Sequence, residues 1–122
     1  MLKLLVVDDE IDICDFVKNF FKERNFEVIM AHNGKEALSV IEREDPDIIL
    51  MDMKMPVMDG IETLKELAGK GKKIIMVTAI EDEEKAEEAK SCGAVEYITK
   101  PLMLEQLERT VLTVAEQIKM EG

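Results

Sequence analysis

Two hydrophobic periods alternate along this chain. Leu2–Val7 is a short apolar run that suits a buried strand. Through Glu10–Arg24, Ile13, Phe16, Val17, Phe20 and Phe21 recur at helical spacing. Phe26–Ala31 is again strand-like. Asn33 then reads as the cap of a helix over KEALSVIERE, because Ala37, Leu38 and Ile41 share one face. Pro46 leads into the run Asp47–Met51. Asp59 and Glu62 have capping-box spacing ahead of the stripe Ile61, Leu64 and Leu67, with Gly69-Lys70-Gly71 ending that helix. Lys73–Thr78 predicts a fourth strand, Asp82–Cys92 a helix stopped by Gly93, Ala94–Thr99 a short fifth strand and Leu104–Met120 a closing helix.

Five strands alternating with five helices predict an α/β fold around a mainly parallel sheet. Right-handed crossovers then place helices on both faces, the doubly wound arrangement. No linker, repeat or low-complexity tract interrupts residues 1–122, so the expectation is one domain.

Composition narrows the function. Apolar residues make up 47%, enough for a core despite 35% charged residues. The net charge of −11 would repel nucleic-acid phosphates, yet it is compatible with a divalent cation or a basic protein partner. No stretch reaches the ~20 apolar residues of a membrane span, and the N-terminus has no secretory pattern. Cys14 and Cys92 lack metal-ligand spacing and read as plain packing or surface residues in a reducing, cytoplasmic setting. His32, the only histidine, reads as an exposed loop residue.

In a sheet of this kind ligands bind beyond the carboxyl ends of the strands. Asp8 and Asp9 follow the first predicted strand, Asp52 the third, Thr78 the fourth and Lys100 the fifth. Singly these are ordinary: Asp8–Glu10 would suit a helix N-terminus, and loop acids are common. Together they put three acids, a hydroxyl and an ammonium on one rim. Carboxylates about 4 Å apart repel by roughly 4 kcal/mol at an effective dielectric near 20. A divalent cation with oxygen ligands, Mg²⁺ or Mn²⁺, would offset that repulsion. A carboxylate can also accept a phosphoryl group, and the metal, Lys100 and Thr78 are the groups such a transfer requires.

These motifs resemble the receiver domain of two-component response regulators. VVDDE at Val6–Glu10 matches its acidic pair, LMDMKMPVMDG at Leu50–Gly60 its phosphoacceptor loop, MVTA at Met76–Ala79 its switch-threonine strand and YITKP at Tyr97–Pro101 its lysine corner. The resemblance implies a flavodoxin-like five-stranded parallel sheet of order 2-1-3-4-5. It implies that Asp52 takes phosphate from a phosphohistidine on a sensor histidine kinase or phosphotransfer protein. Asp8, Asp9, Asp52 and the Lys54 main-chain carbonyl would form the metal site, and Lys100 would pair with the phosphoryl group. Thr78 and Tyr97 would shift on phosphorylation, altering the surface of helix four, strand five and helix five. A downstream protein or a fused output domain would read that change. Pro56 and Gly60 would shape the loop, and the Lys54 side chain would tune acyl-phosphate hydrolysis.

Other features bear on the surface. The fourth helix has a thin stripe, Ala86, Ala89 and Cys92, which predicts weak anchoring. Leu104, Leu107, Val111, Val114 and Ile118 predict a last helix packed on its own sheet, with a seam for dimerisation or an output domain as the alternative. Part of Ile11, Ile13, Cys14 and Phe16 is expected to form a kinase-docking edge. The resulting reading is a signalling domain and not a turnover enzyme. Its competitor is a degenerate receiver that binds partners without phosphorylation. A phosphohydrolase is disfavoured because Lys54 stands where a second acid would be needed.

Overall fold

The computed structural model describes residues 1–79 and 83–121. Strands β1 (Leu2–Val7), β2 (Phe26–Ala31), β3 (Ile48–Asp52), β4 (Lys73–Thr78) and β5 (Glu96–Thr99) alternate with helices α1 (Ile11–Lys22), α2 (Gly34–Glu44), α3 (Gly60–Leu67), α4 (Glu83–Ser91) and α5 (Leu104–Glu121). All four strand pairings are parallel and the sheet order is β2-β1-β3-β4-β5. The predicted doubly wound fold and its strand order are therefore what the chain adopts. Asp82, placed at the start of the fourth helix by the sequence, lies outside the described residues.

Strand side chains alternate between the two faces. Leu4, Val6, Ile48, Leu50, Ile75, Val77 and Ile98 pack against Cys14, Val17 and Phe21 of α1 and Leu107, Val111 and Val114 of α5. Leu5, Val7, Ile49, Met51, Ile74 and Met76 pack against α2, α3 and Ala89 of α4. The central strands are buried on both sides, which explains their near-continuous apolar sequence.

The helix starts follow local chemistry. The Asn33 side chain accepts a hydrogen bond from the Glu36 N–H, and Asp59 with Glu62 completes a capping box. Among its described side chains, helix α4 buries only Ala86 and Ala89, in line with its thin stripe. On α5, Leu107, Val111 and Val114 are buried as expected, but Leu104, the first residue of the helix, is 42% exposed. The expected α1 edge divides in the same way. Ile11 is 62% and Phe16 49% exposed, whereas Cys14 is core at 0% and offers no surface.

Candidate functional site

Pairing fixes where the acids sit. Val6 lies opposite Leu50 and Val7 opposite Met51, so one residue further on Asp8 and Asp52 leave neighbouring strands side by side. Asp8 has the parity of Leu4 and Val6, Asp52 that of Ile48 and Leu50, and Lys100 that of Ile98. All three therefore emerge toward the face covered by α1 and α5. Asp8, Asp9 and Asp52 each offer a carboxylate oxygen, and these oxygens lie within 4.8 Å of one another. Lys100 Nζ donates to Asp52 Oδ2 at 3.2 Å.

Burial makes this crowding costly. Asp8 and Asp52 are only 4% and 5% exposed, while Asp9 is exposed. Burial pushes the Asp8 carboxyl up to about 6; the hydrogen bond from the Glu10 N–H opposes this and the Asp52 charge adds to it. Asp52 is also raised by burial, against the Lys100 ammonium and the N–H groups of Met53 and Lys54 that hold its ionised form. Burial pulls the Lys100 ammonium down, but the Asp52 carboxylate outweighs it and the net direction is up. Hard oxygen donors at this spacing, carrying more negative charge than one lysine balances, fit a Mg²⁺-type cation. Asp8 also shapes the entry to α1, where its Oδ1 accepts from the Glu10 N–H at 2.9 Å.

Thr78 ends β4 at 1% exposure. Its parity matches Ile74 and Met76, so it lies on the α3–α4 side of the sheet, the same side on which half-buried Tyr97 packs. The Lys90 ammonium lies 4.4 Å from the Tyr97 ring centroid. Lys54 is exposed, two residues beyond Asp52. The loop between them and α3 is pinned by Met53 N–H to Val77 O at 2.9 Å and Gly60 N–H to Met53 O at 2.8 Å. The structure thus brings Asp8, Asp9, Asp52 and Lys100 together, with Thr78 at the end of β4 and Tyr97 two residues before the end of β5.

His32 departs from expectation. It is half-buried, not an exposed loop residue, with Nδ1 3.2 Å from the Asp8 carbonyl oxygen. The Cys14 thiol, pushed up to about 11 chiefly by burial, donates to the same oxygen at 3.4 Å. A lone histidine and a lone cysteine eighteen positions apart carry no periodic signal, and only the folded chain joins them. Among the described residues no helix is long and apolar enough to cross a membrane.

The comparisons with known proteins agree with this geometry. The sequence profile of the response regulator receiver domain matches residues 4–112. The regulatory protein AtoC of Escherichia coli K12 is 39% identical over 111 residues, covering 89% of this chain but only 24% of that relative's length. The chemotaxis protein CheY of Listeria monocytogenes is 39% identical over 116 residues, covering 89% of this chain and 98% of CheY. The solved structure of the chemotaxis response regulator CheY4 of Vibrio cholerae superposes with a TM-score of 0.86 at 36% identity, over 93% of this chain and 98% of that one. A profile match across most of the chain, on a fold that seats the acids and the lysine together, makes this chain a member of the response regulator receiver domain family.

Proposed function

We propose that the chain is a phosphoryl-accepting switch in which Asp52 is the acceptor. One observation carries this reading: Asp52 is buried, bonded to Lys100 Nζ at 3.2 Å, and shares with Asp8 and Asp9 a cluster of oxygens within 4.8 Å. An Asp52 carboxylate oxygen attacks the phosphorus of a phosphohistidine. The new P–O bond forms as the P–N bond breaks, and the imidazole leaves with that electron pair. Asp8, Asp9, Asp52 and the Lys54 carbonyl would hold Mg²⁺ or Mn²⁺, which when bound neutralises charge on the phosphoryl oxygens. Lys100 turns its ammonium from the Asp52 carboxylate to the transferred group. Thr78 donates its hydroxyl to a phosphoryl oxygen.

Phosphorylation adds about two negative charges beside Asp52. It switches the domain only to the extent that the active arrangement holds those charges better. Thr78 and Tyr97, on one side of β4 and β5, transmit the difference to α4, β5 and α5. A sensor kinase or phosphotransfer protein donates across the surface that Ile11 and Phe16 border, and a downstream protein or fused output domain reads the result. The domain acts on its own acyl phosphate and releases no other product. The Lys54 side chain, at the mouth, sets the rate of that hydrolysis. Lys54→Ala is expected to change the dephosphorylation rate, and equal rates would remove Lys54 from the scheme.

Acetyl phosphate with Mg²⁺ tests the acceptor directly by intact mass. Wild type is expected to gain one phosphoryl group, and Asp52→Asn and chelated wild type none. A gain of the same size in Asp52→Asn would place the acceptor elsewhere, and no gain in wild type would favour the phosphorylation-independent binding module.

A further inference from the structure

The segment Ala31-His32-Asn33-Gly34 joins the two walls of the acid cluster. On one side the Asp8 N–H donates to Ala31 O at 3.1 Å, and on the other the Gly34 N–H donates to Met58 O, beyond the Asp52 loop, at 3.1 Å. Between these anchors His32 Nδ1 reaches the Asp8 carbonyl at 3.2 Å, where the Cys14 thiol also donates at 3.4 Å. We propose that His32 is a positioning residue for the acid pair: with Cys14 it pins the Asp8 carbonyl and so fixes the directions of the Asp8 and Asp9 carboxylates. This rests on the metal-assisted receiver reading above.

A carbonyl oxygen only accepts hydrogen bonds, so the contact requires the imidazole proton on Nδ1. With its N–H held by Ala31 and its C=O held by His32 and Cys14, Asp8 has both main-chain groups tied. The peptide plane linking Asp8 to Asp9 then has one setting. That setting is needed because the acids oppose it: like charges about 4 Å apart repel by roughly 4 kcal/mol at an effective dielectric near 20, and a loose turn would let Asp9 swing outward. Partners of this kind, one step behind the ligands, commonly change metal affinity about 10–100-fold when removed. His32 Nδ1 meets the Asp8 main-chain carbonyl oxygen and, at 3.8 Å, the Cys14 sulfur.

Two measurements test the inference, neither using a phosphodonor. Long-range proton–nitrogen correlation on wild type should show the His32 proton on Nδ1; a proton on Nε2 alone overturns the proposal. Mn²⁺ affinity by water-proton relaxation should fall about tenfold in His32→Leu. It should return to the wild-type value in His32→Asn, whose Nδ2–H stands where Nδ1–H stood. Wild-type affinity in His32→Leu, or an Asn variant as weak as the Leu variant, overturns it. Should His32→Leu not fold, Cys14→Ala keeps the imidazole and removes the second donor; affinity about threefold weaker is expected, and unchanged affinity counts against the pin. A wild type that binds no Mn²⁺ sinks the metal-assisted reading itself, a result distinct from any failure of His32.

Discussion

The two ends of the sheet treat charge in opposite ways. At the amino ends of the strands, lysines and acids are matched in place. The Lys3 ammonium reaches Glu44 at 3.2 Å and Glu27 at 3.8 Å, the Lys3 main-chain N–H donates to Asp47, Lys72 pairs with Asp45, and Lys73 meets Glu121 at 3.0 Å. At the carboxyl ends three acids crowd together, two of them buried, and only one, Asp52, is shown meeting the Lys100 ammonium. A chain with 27 acidic and 16 basic residues has ample water-facing positions for surplus acids. Concentrating them at one buried rim leaves one end balanced by its own lysines and the other with more acid than one lysine offsets, a set compatible with a divalent cation. Buried charge short of partners is where function accumulates, and exposed, matched charge is where it does not.

The harshest way to break this contrast is to move the loop that follows Asp52. A Cβ at Gly60 would lie 2.5 Å from Asp52 O and 2.9 Å from Met53 Cα, both backbone, so the chain at the end of β3 must shift. Gly60→Ala is expected to lose about 3 kcal/mol in urea unfolding. It should also cut acetyl-phosphate labelling, because the displaced atom belongs to Asp52 itself. A loss below about 1 kcal/mol would show the loop to be looser than its packing implies.

Asp8 sharpens the comparison next. A carboxyl raised in the folded chain favours its protonated form there, so metal-free stability falls as pH climbs from 3.8 to about 6 and stays reduced above that. Asp52, also raised, acts with the same sign. Glu44 and Asp45 at the other end are lowered by their lysine partners, so their contribution appears as pH rises, but Asp45 is exposed and Glu44 partly so, and both are weakly weighted. Asp8→Asn should therefore stabilise the metal-free protein by about 2 kcal/mol at neutral pH, with the gain closing near about pH 4. Mg²⁺ should stabilise wild type more than the variant. Urea titrations in chelator at the two pH values check this; destabilisation at neutral pH would mean Asp8 is needed more for the α1 entry turn than its charge costs.

Sequence and structure part company in an instructive place. The strands and most helix ends were legible because apolar period and capping chemistry are local, as Asn33 and the Asp59–Glu62 box illustrate. The rim acids and Lys100 were legible because a parallel sheet sends every strand end to one edge, and register then makes Asp8 and Asp52 neighbours. The His32–Cys14 contact was not, since it depends on the α1 and β2 ends meeting behind Asp8. Nor was the backbone of Val57, a β-branched residue at φ 68° and 76% exposed in the loop beyond Asp52. That conformation is strained for valine. Relief of strain by Val57→Gly exceeds the added chain entropy of glycine, so a gain of about 1 kcal/mol is expected. A loss in the same urea assay would show that the Val57 side chain holds the loop.

The matched end should give the smallest response of all. Lys73 and Glu121 are tied at 3.0 Å, but their side chains are 27% and 60% exposed, so water already solvates most of what the pair would gain. Exposed pairs of this kind contribute about 0–1 kcal/mol, and the lysine stem retains its contact when the charge alone is removed. Lys73→Met should therefore change stability by less than about 0.5 kcal/mol, with a salt dependence indistinguishable from wild type. Glu121 closes α5, so the same variant asks whether that helix end relies on the pair. A loss above about 1 kcal/mol would mean that the amino ends of the strands also bear structural weight in their charges, and the contrast with the acid cluster would then be one of degree.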